Sequence, residues 1–518
     1  MLEKNHMESA APNTPQPESF YSLLHQRSQD YEDQVCIELP TGQTWTYGQI
    51  HQHTALMAGL LSQLGVTAGD RVAVQVEKSP EAVILYLACL RAGAIFLPLN
   101  TSYTPSELEY FLKDAEPALV VVDPAGESTM RELAATHRRT RVETLDSGGN
   151  GSLAQGLVER APEPLAPYPV SGNDLACILY TSGTTGRPKG AMLSHRNLSS
   201  NALALGSAWD WQSSDVLIHA LPIFHVHGLF VALHCAMMKA SKILFLSKFD
   251  ADQVIRLTPH ATVLMGVPTF YTRLLQHPEL APELCRNMRL YVSGSAPLLE
   301  DTFEAWYEKT GHHILERYGM TETGMNLSNP LQGERRPGTV GSPLPGVRAR
   351  IVGENGNELQ PGEVGSLQVK GPNVFAGYWR LPQKTAEEFT HDGYFITGDL
   401  GTVSEDGYFA IVGRTKDLVI TGGYNVYPKE IEVAIDALDG VRESAVIGLP
   451  HPDFGEQVAA VVVPEDLNNR INEEEIVLKL REELAGYKVP KVIFVVDELP
   501  RNTMGKVQKN VLRERYAE

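Results

Sequence analysis

The sequence predicts an α/β protein: a large N-terminal domain with mostly parallel sheets and a β-rich subdomain, then a small α+β C-terminal domain. Three observations predict it. Short apolar runs alternate with amphipathic stretches through most of the chain, the pattern of parallel strands linked by helices. After about Gly338 glycine and proline become frequent and the strands shorten, as in Gly341-Ser-Pro-Leu-Pro-Gly346 and Gln360-Pro-Gly-Glu363. Beyond Gly413-Arg-Thr-Lys-Asp417, strand and helix patterns alternate again in a piece of small-domain length.

Residues 1–17 are polar and have no apolar h-region, so they are expected to be disordered and to carry no signal peptide. The large domain is expected over 18–415 and the small one over 416–518. Strands are expected at Arg71–Val76, Ala118–Asp123, Cys177–Tyr180, Val216–Leu221, Lys242–Leu246, Thr262–Val267 and Leu290–Val292. The greasiest stretch, Ala82 to Leu99, is broken by Arg91, Gly93 and Pro98. It reads as a buried helix running into a strand, with no membrane span.

With 518 residues, 43% hydrophobic and 21% charged, the chain has the composition of a globular enzyme. Its net charge of −19 leaves no basic surplus for a nucleic-acid partner. Cys36, Cys89, Cys177, Cys235 and Cys285 are widely spaced with no CxxC pair, which fits reduced thiols and a cytoplasmic setting.

The stretch Thr181-Ser-Gly-Thr-Thr-Gly-Arg-Pro-Lys-Gly190 follows the apolar run Cys177–Tyr180. It offers the hydroxyls of Thr181, Ser182, Thr184 and Thr185, backbone amides opened by glycines such as Gly183, and the cations Arg187 and Lys189. That set suits a polyphosphate; the competing reading is a surface turn. It is no Walker A loop, because Pro188 stands where that pattern needs glycine. Asp453-Phe-Gly455 matches a kinase tripeptide, but no other kinase motif accompanies it.

The loop Tyr180–Gly190 resembles the signature of the adenylate-forming superfamily, which includes acyl-CoA synthetases, luciferases and adenylation domains. Further segments resemble that family in its order: Ala220–Gly228, Tyr318–Thr323, Tyr394–Asp399, Gly413–Glu432 and Arg501–Lys506. The resemblance spans nearly the whole chain. It implies ATP-dependent activation of a carboxylate as an acyl-adenylate, then transfer to a thiol, with a mobile C-terminal domain. ATP, Mg2+ and coenzyme A are the implied cofactor and co-substrates.

By that resemblance Lys506 bridges the carboxylate and the α-phosphate; the competing reading is a solvated lysine in a basic tail. Glu322 is implied as the Mg2+ ligand, with Thr181 beside it, against a helix cap. Gly294, Ala296, Pro297, Arg317, Tyr318, Gly319 and Thr321 are implied around the adenylate, Tyr318 by stacking on adenine. Asp399 is implied on the ribose with Arg414, against a turn residue after Gly398. Lys416 matches the hinge position. Gly422 and Gly423 would let a pantetheine arm pass, and His225 matches the gate beside the carboxylate. No further ligand cluster supports a metal at His225 and His227.

Phe224–Phe230, Gly266–Arg273, Val292–Pro297 and Glu316–Pro330 resemble malonyl-CoA synthetases within the superfamily. A dicarboxylate needs a cation or several donors for its second carboxylate, because burying a bare anion is costly. Arg273 is expected to supply the cation and Ser295 a hydroxyl, with Val226 and Met320 setting pocket size and so access for methylmalonate. The competing reading of Arg273 is a surface helical arginine. A monocarboxylate or fatty acid as substrate, and a carrier protein as acceptor, stay open at this level.

Overall fold

The computed structural model describes residues 19–517 apart from 137–138, 182–187, 422–423, 453, 467–471 and 503–504. Three sheets are made from strands that end by Arg414, and a fourth from strands that begin at Val419. The N-terminal stretch 1–17 lies outside the described residues.

The largest sheet has nine strands. Six of them run parallel as neighbours: Leu315–Met320, Leu290–Ser293, Val263–Gly266, Val216–His219, Lys242–Phe245 and Val35–Glu38. Thr44–Thr46 closes one edge antiparallel; Gly324–Ser328 and Ser342–Pro343 close the other. A six-stranded sheet orders Arg141–Thr144, Leu119–Val122, Arg71–Gln75, Ile95–Pro98, Leu175–Thr181 and Lys189–Ser194. Its last pair is an antiparallel hairpin and the rest are parallel. Arg348–Val352, Gly365–Lys370, Phe395–Val403 and Phe409–Arg414 form an antiparallel four-stranded sheet, the β-rich subdomain.

Most of the parallel strands are apolar in their interiors, as strands buried on both faces must be, while Leu315–Met320 carries Glu316 and Arg317 and Arg141–Thr144 carries Arg141 and Glu143. The helix Pro80–Arg91 shows how local sequence sets an element. Ser79 caps it by accepting from the Ala82 amide at 3.1 Å, Pro80 occupies the first turn where no donor is lost, and Arg91 sits in the last turn. Every residue from Ala82 to Leu90 is buried, so this helix runs through the core, and the strand Ile95–Pro98 follows it. Among the described residues no helix is long and apolar enough to cross a membrane.

Two expectations need correction. Several apolar runs outlast their strands: Val76, Leu221, Leu246 and Val267 lie beyond the ladder ends, buried by packing without strand pairing. Lys189 and Gly190, expected in the phosphate loop, instead open the returning strand of a hairpin, with Lys189 paired to Thr181.

Candidate active site

Four adjacent parallel strands deliver their C-terminal ends to one edge of the nine-stranded sheet, where ligands of such sheets bind. Val216–His219 leads to His225 and Val226, Val263–Gly266 to the helix Pro268–Leu275, Leu290–Ser293 to Gly294–Pro297, and Leu315–Met320 to Thr321 and Glu322. Ser293 pairs with Glu316, which sets Gly294 beside Arg317. A β-carbon on Gly294 would lie 2.3 Å from the Arg317 Cζ, so only glycine leaves room for the guanidinium.

Arg317 is 4% exposed, and its Nε and Nη2 have no partner among the described residues. Burial pushes its pKa down to about 10, against the nearby Tyr271 and Glu316. It remains a cation, but one that lacks hydrogen bonds. Around it stand His225, His227 and Ser295. Ser295 has φ 72°, a strained left-handed conformation for a side chain with a β-carbon, and its hydroxyl lies 3.2 Å from His227 Nδ1. The other ring nitrogen of His227 is buried without a partner among the described residues. Burial, then the charges of Lys506 and Arg317, push His225 down to about 3, so its imidazole is neutral. Val226 is buried; Met320 and Ala296 are half-buried and Pro297 is exposed. Gly319 is sterically confined, since a β-carbon there would meet the Gly324 carbonyl at 2.1 Å.

Asp399 lies within the strand Phe395–Val403 rather than in a turn, and pairs across the ladder with Arg414. Arg414 Nε is 3.0 Å from its carboxylate, and the Tyr318 hydroxyl donates to it at 2.5 Å. Asp399, Tyr318 and Arg414 therefore form one unit.

Glu322 sits in the turn between Leu315–Met320 and Gly324–Ser328, so it caps no helix. Burial raises its pKa, and its Oε1 lies 3.1 Å from the oxygen of the Tyr378 hydroxyl, whose proton goes to Glu388 Oε2 at 2.6 Å. Among the described residues no three metal-ligating side chains cluster. The Glu322 carboxylate still fits Mg2+, which binds hard oxygens and takes much of its shell from water and substrate phosphates; the Thr181 hydroxyl donates to the Lys189 carbonyl at 3.4 Å. Lys189 lies 2.9 Å from Glu388 Oε1. The segment Ser182, Gly183, Thr184, Thr185 and Arg187 falls outside the described residues, as do Gly422 and Gly423.

Lys506 comes from the C-terminal domain. Arg501 bridges Val507, Asn502 accepts from the Lys506 amide at 3.0 Å, and Gly505 at φ 75° turns the loop. A β-carbon on Gly505 would lie 3.6 Å from Thr269 Oγ1, so the loop touches the helix Pro268–Leu275. Lys506 is exposed to water. Partial desolvation by the surrounding protein, then Arg414, push its ammonium down to about 8; Asp399 and Glu322 pull it up and Arg317 pushes it down further. Lys416 is exposed on the turn Thr415–Asp417, beside an Arg513–Asp417 ion pair of 2.7 Å. Arg273 is exposed near the end of its helix, one turn beyond Thr269 and on the same face.

Sequence reasoning missed Tyr378 and Glu388. Both belong to stretches without a motif, and Ala386-Glu-Glu-Phe389 reads as an ordinary solvated segment. No local signal could have paired Glu388 with Lys189, because 199 positions separate them.

A family model described as AMP-binding enzyme matches residues 24–379, and one described as AMP-binding enzyme C-terminal domain matches 430–506. The mouse mitochondrial malonate–CoA ligase ACSF3 is 36% identical over 98% of this chain and 93% of its own. A feruloyl-CoA synthase from Amycolatopsis is also 36% identical, over 92% and 94%. ATP-bound MatB from Rhodopseudomonas palustris is 54% identical and superposes with a TM-score of 0.94, covering 97% of this chain and 99% of that one. The apo form of the same MatB superposes at 0.83.

Proposed function

The chain belongs to the AMP-binding enzyme family, and from that premise we propose that it ligates malonate to coenzyme A through a malonyl-adenylate, releasing pyrophosphate and AMP. Methylmalonate is the second acid the pocket suits. The observation that carries the malonate reading is Arg317, a buried guanidinium with two unpaired donor nitrogens beside Ser295 and His227. A monocarboxylate would leave that cation uncompensated; malonate's distal carboxylate would satisfy it with bidentate, charge-assisted hydrogen bonds. The malonate–CoA ligases among the relatives support the same acid.

The near carboxylate then faces Lys506, which screens it from the α-phosphate as the two anions meet. The carboxylate oxygen attacks the α-phosphorus and pyrophosphate leaves. Asp399 and Arg414 hold the ribose, and Lys189 with Thr181 the departing phosphates. Glu322 would hold Mg2+, which supplies charge neutralisation on the phosphates. Neutral His225 closes the acid pocket without adding a competing charge. In the second half-reaction the thiol of coenzyme A attacks the acyl carbon, its proton leaves, and AMP is expelled. Lys416 serves as the hinge and Gly422–Gly423 as the passage for the pantetheine arm. Five free, buried cysteines suit a reducing, cytoplasmic setting.

The test is acid-dependent AMP formation with malonate, methylmalonate, acetate and ferulate, in wild type, Arg317→Met and Arg273→Ala. Malonate should lead in wild type. Arg317→Met should cut kcat/KM for malonate about a hundredfold, as for a buried charge partner removed, while acetate changes little. An unchanged malonate-to-acetate ratio in Arg317→Met, with loss in Arg273→Ala, would move the clamp to Arg273, which stands on the Thr269 face of its helix. Ferulate ahead of malonate would overturn the acid assignment.

A further inference from the structure

Lys189 is the cation nearest the phosphate-loop hairpin that the structure describes, and its ammonium is already engaged. It lies 2.9 Å from Glu388 Oε1 and 4.0 Å from the centre of the Tyr378 ring. Both partners of the ion pair are largely covered, at 18% and 20% side-chain exposure, so salt screens the pair poorly. A polyphosphate that needs Lys189 must compete with a fixed carboxylate for it.

Glu388 can release the lysine at small cost because it has other donors. The Tyr378 hydroxyl donates to Oε2 at 2.6 Å, and Lys384 stands 3.4 Å from Oε1. When Lys189 leaves, the carboxylate keeps both contacts and is not left buried and unpaired, the usual penalty for breaking such a pair. When pyrophosphate departs, Glu388 is positioned to take the ammonium back.

We propose that Glu388 is a competing counter-ion for Lys189, one that weakens the enzyme's hold on the β- and γ-phosphates and so speeds the loss of pyrophosphate. The proposal rests on the reading of Lys189 as a phosphate ligand. It assigns Glu388 a positioning role acting through Lys189, with no contact to the reacting atoms. Its sign is unusual for a residue near an active site: removing the negative charge tightens ligand binding.

The experiment is equilibrium calorimetry of the full chain with pyrophosphate at fixed Mg2+, and with AMP as the control that lacks β- and γ-phosphates. Glu388→Gln keeps the size and hydrogen-bonding reach of the side chain and removes its charge. It should tighten pyrophosphate binding by about three- to tenfold, the range for breaking a partly buried ion pair, and leave AMP unchanged. Lys384→Met, at an exposed position, should do the opposite: Glu388 loses an alternative partner, grips Lys189 harder, and pyrophosphate binds more weakly. In Lys189→Met the Glu388→Gln effect should vanish. Weaker or unchanged pyrophosphate binding in Glu388→Gln, or a parallel change in AMP, overturns the proposal while leaving Lys189 its phosphate role. Pyrophosphate binding unaffected by Lys189→Met overturns that role and the proposal with it.

Discussion

Lys506 is a cation placed within reach of two others, Arg414 and Arg317, and of two carboxylates, Asp399 and Glu322. Desolvation and the repulsion of the two cations outweigh the pull of the two carboxylates, and the ammonium falls from the ordinary lysine value to about 8. Its proposed task requires its charge, since it would lie between two anions. A depressed pKa means that the charged fraction falls as pH rises through about 8. Adenylate formation at low ATP is therefore expected to decline above that pH. Arg414→Gln removes a repulsion, so the declining limb should move to higher pH even as overall activity drops. Pyrophosphate release measured across pH in both proteins checks this, and a limb that stays in place would show that Lys506 does not govern it. His225 contributes no limb near neutrality, because its pKa of about 3 keeps it neutral throughout.

At the scale of the element, the proposed acid pocket adjoins a π-helical turn, His227–Leu233, a form often found at functional sites. Its entry is rigid. A β-carbon on Gly228 would meet the Pro222 carbonyl at 2.0 Å, so the chain approaches itself as closely as glycine allows. The Gly228 carbonyl lies 2.9 Å from His219 Nε2, and His219 Nδ1 lies 2.7 Å from the buried Lys78. If His219 donates from Nε2, its Nδ1 accepts from Lys78, and one neutral imidazole ties strand, turn and core lysine together. Val226 is held just before this turn, so the pocket cannot widen by relaxing. Val226→Ala should then raise the methylmalonate-to-malonate ratio of kcat/KM by about tenfold, the effect of one methyl group in a tight pocket. An unchanged ratio would put the limiting wall at Met320.

At the scale of the molecule, the site is completed by a second domain. Lys506 reaches the cleft because its loop rests near Thr269, and the arrangement matches ATP-bound MatB at a TM-score of 0.94 against 0.83 for the apo form. In the proposed mechanism this arrangement would serve the first half-reaction. A lysine that enters with its domain should matter for that half alone. Lys506→Ala is expected to slow malonyl-adenylate formation by about 10²–10³-fold, the loss typical of one electrostatic contact to developing charge. Thioester formation from supplied malonyl-adenylate should stay close to wild type. Rapid-quench assays of the two half-reactions separate them, and equal losses in both would contradict a lysine confined to adenylation.

The sequence alone determined most of the parallel strands from their apolar runs, though not Val35–Glu38, Arg141–Thr144 or Leu315–Met320, which carry charged residues, and it determined the family, because Thr181–Gly190 and the later motifs stand in order. It also singled out Lys506, Glu322, Asp399 and Arg414 by residue type within those motifs. Strand ends were less legible, since Val76 and Val267 are buried by packing just as their strand neighbours are. The competing reading of Asp399, a turn residue after Gly398, falls because the ladder to Arg414 places it in a strand. Only the tertiary structure decided which cation is buried and unpaired. Arg273 and Arg317 are equal as letters, but one is exposed near the end of its helix while the other lies against Gly294 under the sheet edge. The Lys189–Glu388 pair is of the same kind. Charge is written in the sequence, but desolvation and partner choice depend on what the fold brings within a few ångströms.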